Sequence, residues 1–456
     1  MPSVSFRVAV IAVSIILTTV FLRQFTPVST NDVYQFSQPA LQETGEYALT
    51  MTSQQSESGE EHAMMVEQVS VPISAPETPS ENSKSVITPI PEVQNYHANM
   101  QQLASSSPKA LQTSPDVGIV SMLYGEPNDY YVQAIETHER HAARHGYPAY
   151  VLRSNVYPLD NGIWNKLAFI LHLLVLELEK PEEVRTKWLM WVDADSIVVN
   201  PALSLDIFLP PKDFSNVHVL ATKDMNGLNA GIFFLHVHHW SLQMVIKAIS
   251  IPQHRPDIGL GFLEQTALYQ TFNDTEFQES VVYQPRIWYN TYEFHHAYEG
   301  KHGDFLAHFP GLESDRWDHM DKWLNIVNGP GQAEWEIPLE ETRYPNETKD
   351  YWNTLRYVRA VLNYAEYRAQ EDSPTEEIKD AVEDLRVTNL FASDAYKKLG
   401  EQAEKVHKMF ENLTSTGTED ANRVLNQLGQ CRDELLGSSE SKTNPMQGSC
   451  HFELAR

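Results

Sequence analysis

The chain has 456 residues, with 61 Asp and Glu against 34 Lys and Arg, so its net charge is −27. Such an acidic chain repels nucleic acid, and we expect no nucleic-acid partner. Two cysteines, Cys431 and Cys450, exclude a disulfide framework for the main body, and without a Cys-x-x-Cys pair nothing indicates structural zinc. The two cysteines could instead pair with each other and close a terminal loop.

An apolar stretch near the N-terminus indicates a membrane anchor. Residues 8–22 lie between Arg7 and Arg23 and contain no charged side chain. These fifteen residues are fewer than the roughly 20 that span a typical bilayer, but thin membranes and snorkelling arginines accept a shorter span. A cleaved signal peptide is the competing interpretation. No small-x-small cleavage site follows the stretch, so we predict an uncleaved signal anchor behind a cytoplasmic tail at 1–7.

The stretch 23–114 is typical of a disordered stem. It is rich in Ser, Thr, Gln, Glu and Pro, and it has no Lys or Arg from residue 24 to residue 83. Because it shows no sustained apolar period, it cannot bury enough surface to fold alone. Beyond the stem, Asn-x-Ser/Thr sequons at Asn273, Asn346 and Asn412 are compatible with a lumenal body.

Ordered structure is predicted from residue 116 onward. The pattern in chain order is a strand at 117–124, a helix capped by Asn128 or Asp129 and ended by Gly146, a strand at 147–152, a helix at 163–179 and a strand at 188–192. Strands that alternate with helices favour an α/β fold with a largely parallel sheet covered on both faces.

Further elements complete an ordered domain at 115–330. They are strands at 217–222 and 230–235, helices at 240–250 and 262–272, and a mixed block at 281–309. The texture then becomes acidic and amphipathic, with helices predicted at 351–370 and within 376–413. We therefore predict an acidic helical C-terminal extension at 331–456.

The strand at 188–192 stops at two carboxylates, Asp193 and Asp195. Along an extended segment the side chains at i and i+2 point the same way. Two such carboxylates can hold Mg²⁺ or Mn²⁺ and leave open positions for a substrate diphosphate. The alternative is an acidic turn without a ligand. In α/β sheets, ligands bind beyond the carboxyl ends of the strands, where these two residues lie.

Between residues 116 and 327 the chain resembles glycosyltransferase family 34, a fungal and plant family. The segments that carry the resemblance occur in the family's order: Trp164-Asn165-Lys166, Trp191-Val192-Asp193-Ala194-Asp195, 228–235, Glu264-Gln265, 284–290 and His308-Phe309-Pro310-Gly311. The resemblance implies a GT-A fold, which is a Rossmann-like nucleotide-sugar-binding domain. It also implies a nucleotide-sugar donor, Mn²⁺ (or Mg²⁺), retention of anomeric configuration and a type II membrane protein.

The resemblance implies a metal-ligand set. Asp193 and Asp195 would bridge the metal to the donor diphosphate, and His308 would supply the third protein ligand. A cation bound to both phosphates stabilises the charge that develops on a departing nucleoside diphosphate. Lys166 would meet the nucleotide or its phosphates, and Gly231 would leave open backbone beside the donor sugar.

Three further residues would act at the sugar. Asn229 would place an amide beside the donor, and Glu264 and Gln265 would face the sugar and the acceptor. The family often has Asp where Glu264 stands, so the role of this longer side chain stays open. Either a covalent carboxylate intermediate or attack on the face from which the phosphate leaves would retain configuration. We favour the same-face route because no carboxylate is clearly a dedicated nucleophile.

Two other groups of side chains bear on the site. We expect one or two members of a dense aromatic set to stack on the acceptor: Trp288, Tyr289, Tyr292, Trp317 and Trp323. We do not expect a metal at the histidine cluster formed by His236, His238 and His239, because alternate residues of a strand point to opposite faces.

Together, the apolar stretch, the sequons and the family resemblance predict a Golgi type II membrane protein with a lumenal catalytic domain. It would be a retaining, Mn²⁺-dependent α-glycosyltransferase that moves galactose or mannose to a glycan or glycoprotein acceptor. UDP-galactose and GDP-mannose both remain open, because no residue reads the base or the sugar stereochemistry unambiguously. A place in a Golgi glycosyltransferase complex is compatible with the helical extension.

Two interpretations from other classes stay open. A non-catalytic subunit of a Golgi glycosyltransferase complex would suit the substituted Glu264. An apolar run followed by Asp-x-Asp also opens haloacid-dehalogenase-like phosphatases, in which the first Asp is a nucleophile. That class needs later phosphate-binding Ser/Thr and Lys motifs and an acidic pair, and the sequence offers no good set.

Overall fold

A computed structural model describes residues 115–126, 128–155, 161–371, 374–391, 395–413 and 419–436. The predicted tail and anchor at 1–22, the stem at 23–114 and Cys450 lie outside these residues. Among the helices that are described, none is both long enough and apolar enough to cross a membrane.

The described strands form a mixed sheet and a separate pair. They are β1 (Val117–Met122), β2 (Ala149–Leu152), β3 (Trp188–Val192), β4 (Ser196–Val198), β5 (Val219–Asp224), β6 (Gly227–His236), β7 (Val281–Tyr283) and β8 (Leu306–His308). Within this part of the chain the main sheet has the order β2-β1-β3-β6-β5-β7, and β4 pairs with β8. Strand β6 runs antiparallel to β3 and β5, while the other pairings of the main sheet are parallel. The separate pair of β4 and β8 is antiparallel. The short connection from Asp224 to Gly227 forces this reversal, since a tight hairpin joins only antiparallel strands.

Helices cover the sheet and continue beyond it. They are α1 (Asp129–His145), α2 (Asn165–Glu179), α3 (His239–His254), α4 (Leu263–Phe272), α5 (Arg316–Val327), α6 (Gln332–Trp335), α7 (Tyr344–Glu371), α8 (Glu376–Phe391), α9 (Tyr396–Leu413) and α10 (Glu419–Leu436). The predicted caps of the first helix are confirmed. Asn128 accepts a hydrogen bond from the backbone N–H of Tyr131, and Gly146 ends the helix with φ 71°.

Both faces of the sheet are buried, which confirms the predicted α/β fold. Val120 and Leu189 belong to one apolar cluster, together with the inner face of α2. Their neighbours Ile119 and Met190 belong to a second cluster on the other face. Alternation along β1 and β3 therefore feeds two cores, as expected for strands covered on both sides.

Helix α7 joins the α/β core to the C-terminal helices. Its first residue, Tyr344, is fully buried. The hydroxyl of Tyr344 donates to the carbonyl of Trp288 at 2.9 Å and accepts from the backbone N–H of Phe305 at 3.0 Å. Farther along α7, Arg356 binds both carboxylate oxygens of Asp213. The second half of α7 packs with α8, α9 and α10 around an apolar cluster of their own.

Candidate metal centre

The two candidate carboxylates lie in a turn. Strand β3 ends at Val192, and a turn carries Asp193 and Asp195 before β4 begins at Ser196. The expectation of an extended segment is therefore wrong, because this turn separates the two strands. The backbone N–H of Asp193 donates to the carbonyl of Gly231 at 2.8 Å, which fixes the start of the turn against β6.

Three side chains converge at this turn. Asp193, Asp195 and His308 each present a ligand atom, and these atoms lie within 4.8 Å of one another. Pairing of β4 with β8 brings His308 there, since Ser196 and His308 are register partners. The Nε2 atom of His308 lies 3.3 Å from Oδ1 of Asp195. Two carboxylates suit a hard divalent cation, and the imidazole favours Mn²⁺ over the strictly oxygen-seeking Mg²⁺.

The hydrogen bonds of His308 fit the role of a metal ligand. Asn290 donates through Nδ2 to Thr222 at 2.8 Å and to Oδ1 of Asn229 at 2.9 Å, so its Oδ1 is an acceptor. That Oδ1 lies 2.7 Å from Nδ1 of His308. The ring therefore carries its proton on Nδ1, and the lone pair on Nε2 faces Asp195. Ligating histidines are commonly fixed by such a partner on the far nitrogen.

Gly231 makes room for the His308 ring. A Cβ atom at this position would lie 2.5 Å from Cε1 of His308, far inside van der Waals contact. Asn229, two residues earlier, is 6% exposed, and its Oδ1 accepts from the backbone N–H of Gly231 at 3.0 Å. The Nδ2 of Asn229 reaches Oδ2 of Asp224 at 3.3 Å and the hydroxyl of Tyr292. Both predicted residues thus border the metal ligands.

Lys166 lies behind Asp193 and is only 1% exposed. Its amine donates to the carbonyl of Ala230 at 2.5 Å and to Oδ1 of Asp193 at 3.3 Å, and it lies 3.5 Å from Oε1 of Glu264. The three N–H groups of a lysine are thereby matched by protein oxygens. In this arrangement Lys166 would act on a nucleotide-sugar donor through Asp193 and not by direct contact.

The predicted catalytic pair opens helix α4. Gln265 accepts a hydrogen bond from the backbone N–H of Ala230 at 2.9 Å, so the side chain ties α4 to β6 beside the metal ligands. Glu264 is buried and turned toward Lys166. Burial raises the pKa of Glu264, although the neighbouring Lys166 opposes the rise.

Arg316, the first residue of α5, is a member of the site that sequence reasoning missed. Its Nη2 lies 3.4 Å from Oδ2 of Asp195, and its Nη1 donates to the hydroxyl of Tyr131 at 2.6 Å. Burial disfavours the charged form of Asp195, and the guanidinium of Arg316 favours it. Arg316 follows no motif, and only the folded chain brings it to the turn.

The aromatic set divides by burial. Four of its members are core residues: Trp288, Tyr289, Tyr292 and Trp323. Trp317 is half-buried and stacks on Tyr130 with ring centroids 5.8 Å apart. It directly follows Arg316 and is the member of this set that is not fully buried.

The histidine cluster lies at the far end of β6. Nδ1 of His236 is 2.9 Å from Nδ1 of His218, and Nδ1 of His238 accepts from the backbone N–H of Trp240 at the start of α3. His236 and His238 have nearly parallel rings with centroids 5.6 Å apart. The expected separation of alternate residues onto opposite faces therefore does not apply to these two, which are two residues apart and share a side.

Comparison with known proteins agrees with the geometry. Residues 210–318 match the galactosyl transferase GMA12/MNN10 family. An alpha-1,2-galactosyltransferase of Schizosaccharomyces pombe is 22% identical over 252 residues, which cover 47% of this chain and 65% of the relative. Over residues 210–318 the chain therefore resembles glycosyltransferase family 34. The resemblance predicted from the sequence is thus confirmed, and the match spans slightly less than two thirds of the relative's length.

Solved structures with some similarity are also glycosyltransferases. One is a glycosyltransferase involved in the glycosylation of the major capsid of PBCV-1. It is 18% identical with a TM-score of 0.38, and the match covers 46% of this chain and 100% of that one. Another is the galactosyltransferase LgtC in complex with donor and acceptor sugar analogs; it is 11% identical with a TM-score of 0.31, over 49% of this chain and 98% of that one.

Proposed function

We propose that this protein is a metal-dependent glycosyltransferase of family 34 that moves a hexose from a nucleotide sugar to a glycan acceptor. The observation that carries the proposal is the convergence of Asp193, Asp195 and His308 at the end of β3, with Asn290 fixing the histidine. The match of residues 210–318 to the galactosyl transferase family supports the reaction class. A GT-A fold, the finer description of the α/β domain, is part of the proposal.

The chemistry follows from charge. A divalent cation held by the two carboxylates and His308 would neutralise the diphosphate as it leaves. The amine of Lys166 lies 3.3 Å from Oδ1 of Asp193 and holds that carboxylate in place. Arg316 adds positive charge 3.4 Å from Oδ2 of Asp195 and would attract a phosphate oxygen.

We propose that configuration is retained by attack on the face from which the phosphate leaves. The acceptor oxygen would bond to the anomeric carbon as the bond from that carbon to the phosphate oxygen breaks. The departing phosphate would take the acceptor's proton. The position of Glu264 supports this route, because its carboxylate is 6% exposed and turned toward Lys166 rather than toward open space.

We further propose UDP-galactose as the first donor to test and GDP-mannose as the alternative. The S. pombe relative bears the name of a galactosyltransferase, which supports galactose. For the acceptor we propose a glycan or glycoprotein sugar stacked on Trp317. Its ring is the accessible one of the aromatic set, and apolar sugar faces pack on such rings.

We also propose a Golgi membrane protein with its catalytic domain in the lumen. The uncharged stretch at 8–22 supports a signal anchor, and the exposed positions of Asn346 and Asn412 suit glycosylated sequons. Assembly with other Golgi glycosyltransferases would suit the helices that follow α7.

Turnover of the full-length chain tests the proposal. Release of UDP from UDP-galactose, or of GDP from GDP-mannose, is measured with Mn²⁺, with EDTA and in Asp195→Asn. We expect turnover of one donor that disappears with EDTA and in the variant. Asp321→Asn, an exposed carboxylate on α5, is the matched control and should keep full activity. Binding of a donor without turnover would instead indicate the non-catalytic subunit, and hydrolysis of simple phosphate esters would indicate the phosphatase.

A further inference from the structure

A buried histidine of α1 touches the metal-binding turn from behind. His138 is 2% exposed, and its Nε2 lies 3.0 Å from Oγ and 3.1 Å from the carbonyl oxygen of Ser196. The Oγ of Ser196 in turn lies 2.7 Å from the carbonyl oxygen of Asp193. These contacts form a hydrogen-bond series from His138 on α1 through Ser196 to the turn at Asp193. The series has no part in the chemistry described above.

The available hydrogens determine which group donates and which accepts in this hydrogen-bond series. The carbonyl of Asp193 only accepts, so the single hydroxyl hydrogen of Ser196 is directed to it. The Oγ of Ser196 must then accept from His138, which carries its hydrogen on Nε2. The Nδ1 of His138 is buried and has no hydrogen-bond partner among the described residues, so a second proton there would find no acceptor among them. The ring is a neutral donor aimed at Ser196.

Ser196 is joined to the backbone of all three metal ligands. It follows Asp195 in the chain, it is the cross-strand partner of His308, and its hydroxyl binds the carbonyl of Asp193. A shift of this one residue would therefore move every ligand. Next to His138 on α1, Thr137 accepts from the backbone N–H of Val198 at 3.0 Å and fastens β4 to the helix a second time.

We propose that His138 is a positioning residue for the metal centre and acts through Ser196. It touches neither cation nor substrate; it holds the turn in the shape that brings the two carboxylates to His308. The inference rests on the metal centre of the proposed function. Residues one contact removed from metal ligands commonly set affinity in this way.

Mn²⁺ binding by the full-length chain, measured by titration without donor, tests the proposal. His138→Leu removes the donor, and we expect the Kd for Mn²⁺ to rise about 10-fold. His138→Gln returns an N–H near the position of Nε2 and should hold Kd within about 3-fold of the wild type. His141→Leu is the matched control, because His141 is buried in the same helix and binds the carbonyl of Leu203 at 2.7 Å instead.

Ser196→Ala is the second variant, since it removes little volume. It should raise Kd as His138→Leu does, and the double variant should bind Mn²⁺ no more weakly than either single one, because both break the same hydrogen-bond series. A His138→Leu or Ser196→Ala protein with wild-type Kd would overturn the role of His138, as would failure of His138→Gln to restore binding. A wild type that bound no Mn²⁺ would overturn the metal centre itself.

Discussion

The Nδ1 of His308 lies 2.7 Å from the Oδ1 of Asn290, and this hydrogen bond turns the other ring nitrogen toward Asp195. Asn290 is itself held by Thr222 and Asn229, so the ring has one tautomer and one direction. Any buried histidine needs a partner for its N–H, but here that partner leaves the bare Nε2 3.3 Å from a carboxylate oxygen, where a cation would lie. The relationship therefore supports ligation and leads to the first prediction.

Replacing Asn290 should weaken metal binding. Asn290→Leu keeps the volume but removes the acceptor for Nδ1 of His308, so the ring can turn or change tautomer. We expect the Kd for Mn²⁺ to rise between about 10-fold and about 100-fold, measured by titration of free Mn²⁺. Asn325→Leu, on the exposed face of α5, is the control. Equal Kd values for the two variants would show that Asn290 does not orient a ligand.

Adding one methyl group at Gly231 should disable the site. The new Cβ would lie 2.5 Å from Cε1 of His308 and 3.0 Å from Oδ1 of Asn229, so the ring must shift. We expect Gly231→Ala to lower turnover about 100-fold, as displacements of about 1 Å do in active sites. Gly259→Ala meets nothing within 4 Å and should keep full activity. Normal turnover in Gly231→Ala would mean that His308 has no role in catalysis.

Removing the buried amine of Lys166 should cost stability. In Lys166→Met, the carboxylates of Glu264 and Asp193 lose their counter-charge in a buried site. We expect the free energy of unfolding in urea to fall by about 3 kcal/mol, the lower end for a broken buried pair because Asp193 is 34% exposed. Lys187→Met breaks an exposed pair with Asp116 and should cost less than about 1 kcal/mol. Similar losses in both variants would contradict a buried charge cluster.

Acid should destabilise the fold through buried histidines. Burial lowers the pKa of His141 to about 3 and that of His236 to about 4, against an ordinary value of 6.5. Below pH 6.5 these histidines bind protons in the unfolded chain but stay neutral in the folded chain. The free energy of unfolding therefore falls as the pH drops toward 4.

His141→Gln removes the contribution of one of these histidines to the pH dependence of unfolding. Glutamine can still donate to the carbonyl of Leu203 but does not titrate, so its unfolding free energy should depend less steeply on pH. The difference in slope should approach about 1.4 kcal/mol per pH unit between pH 6 and 4, measured by urea unfolding in EDTA. Parallel pH profiles for the variant and the wild type would rule out His141 as a source of acid sensitivity.

Local patterns predicted much of the fold. The apolar periods located β1, β3 and helix α1, because period and caps are properties of neighbouring residues. Asn128 and Gly146 were identified as helix ends for the same reason. The order of strands and helices also indicated a sheet covered on both faces. The family resemblance predicted that His308 lies with the two carboxylates.

What the sequence could not predict depends on contacts between distant segments. The Asp193 to Asp195 segment becomes a turn because β4 must pair with β8, a fact that the local alternation does not contain. Arg316 reaches Asp195, and His138 reaches Ser196, only once α5 and α1 are packed. The burial of Lys166 is likewise a property of the packed α2, since a lysine in a helix is usually solvated.

The most direct test is whether an imidazole nitrogen binds the metal. Electron spin echo envelope modulation of Mn²⁺ bound to the full-length chain detects a coordinated nitrogen. The account predicts a nitrogen coupling in the wild type that is lost in His308→Ala and kept in His319→Ala, an outlying histidine that binds Glu293. Mn²⁺ that binds without a nitrogen coupling, or with one that survives in His308→Ala, would contradict the metal centre proposed for Asp193, Asp195 and His308.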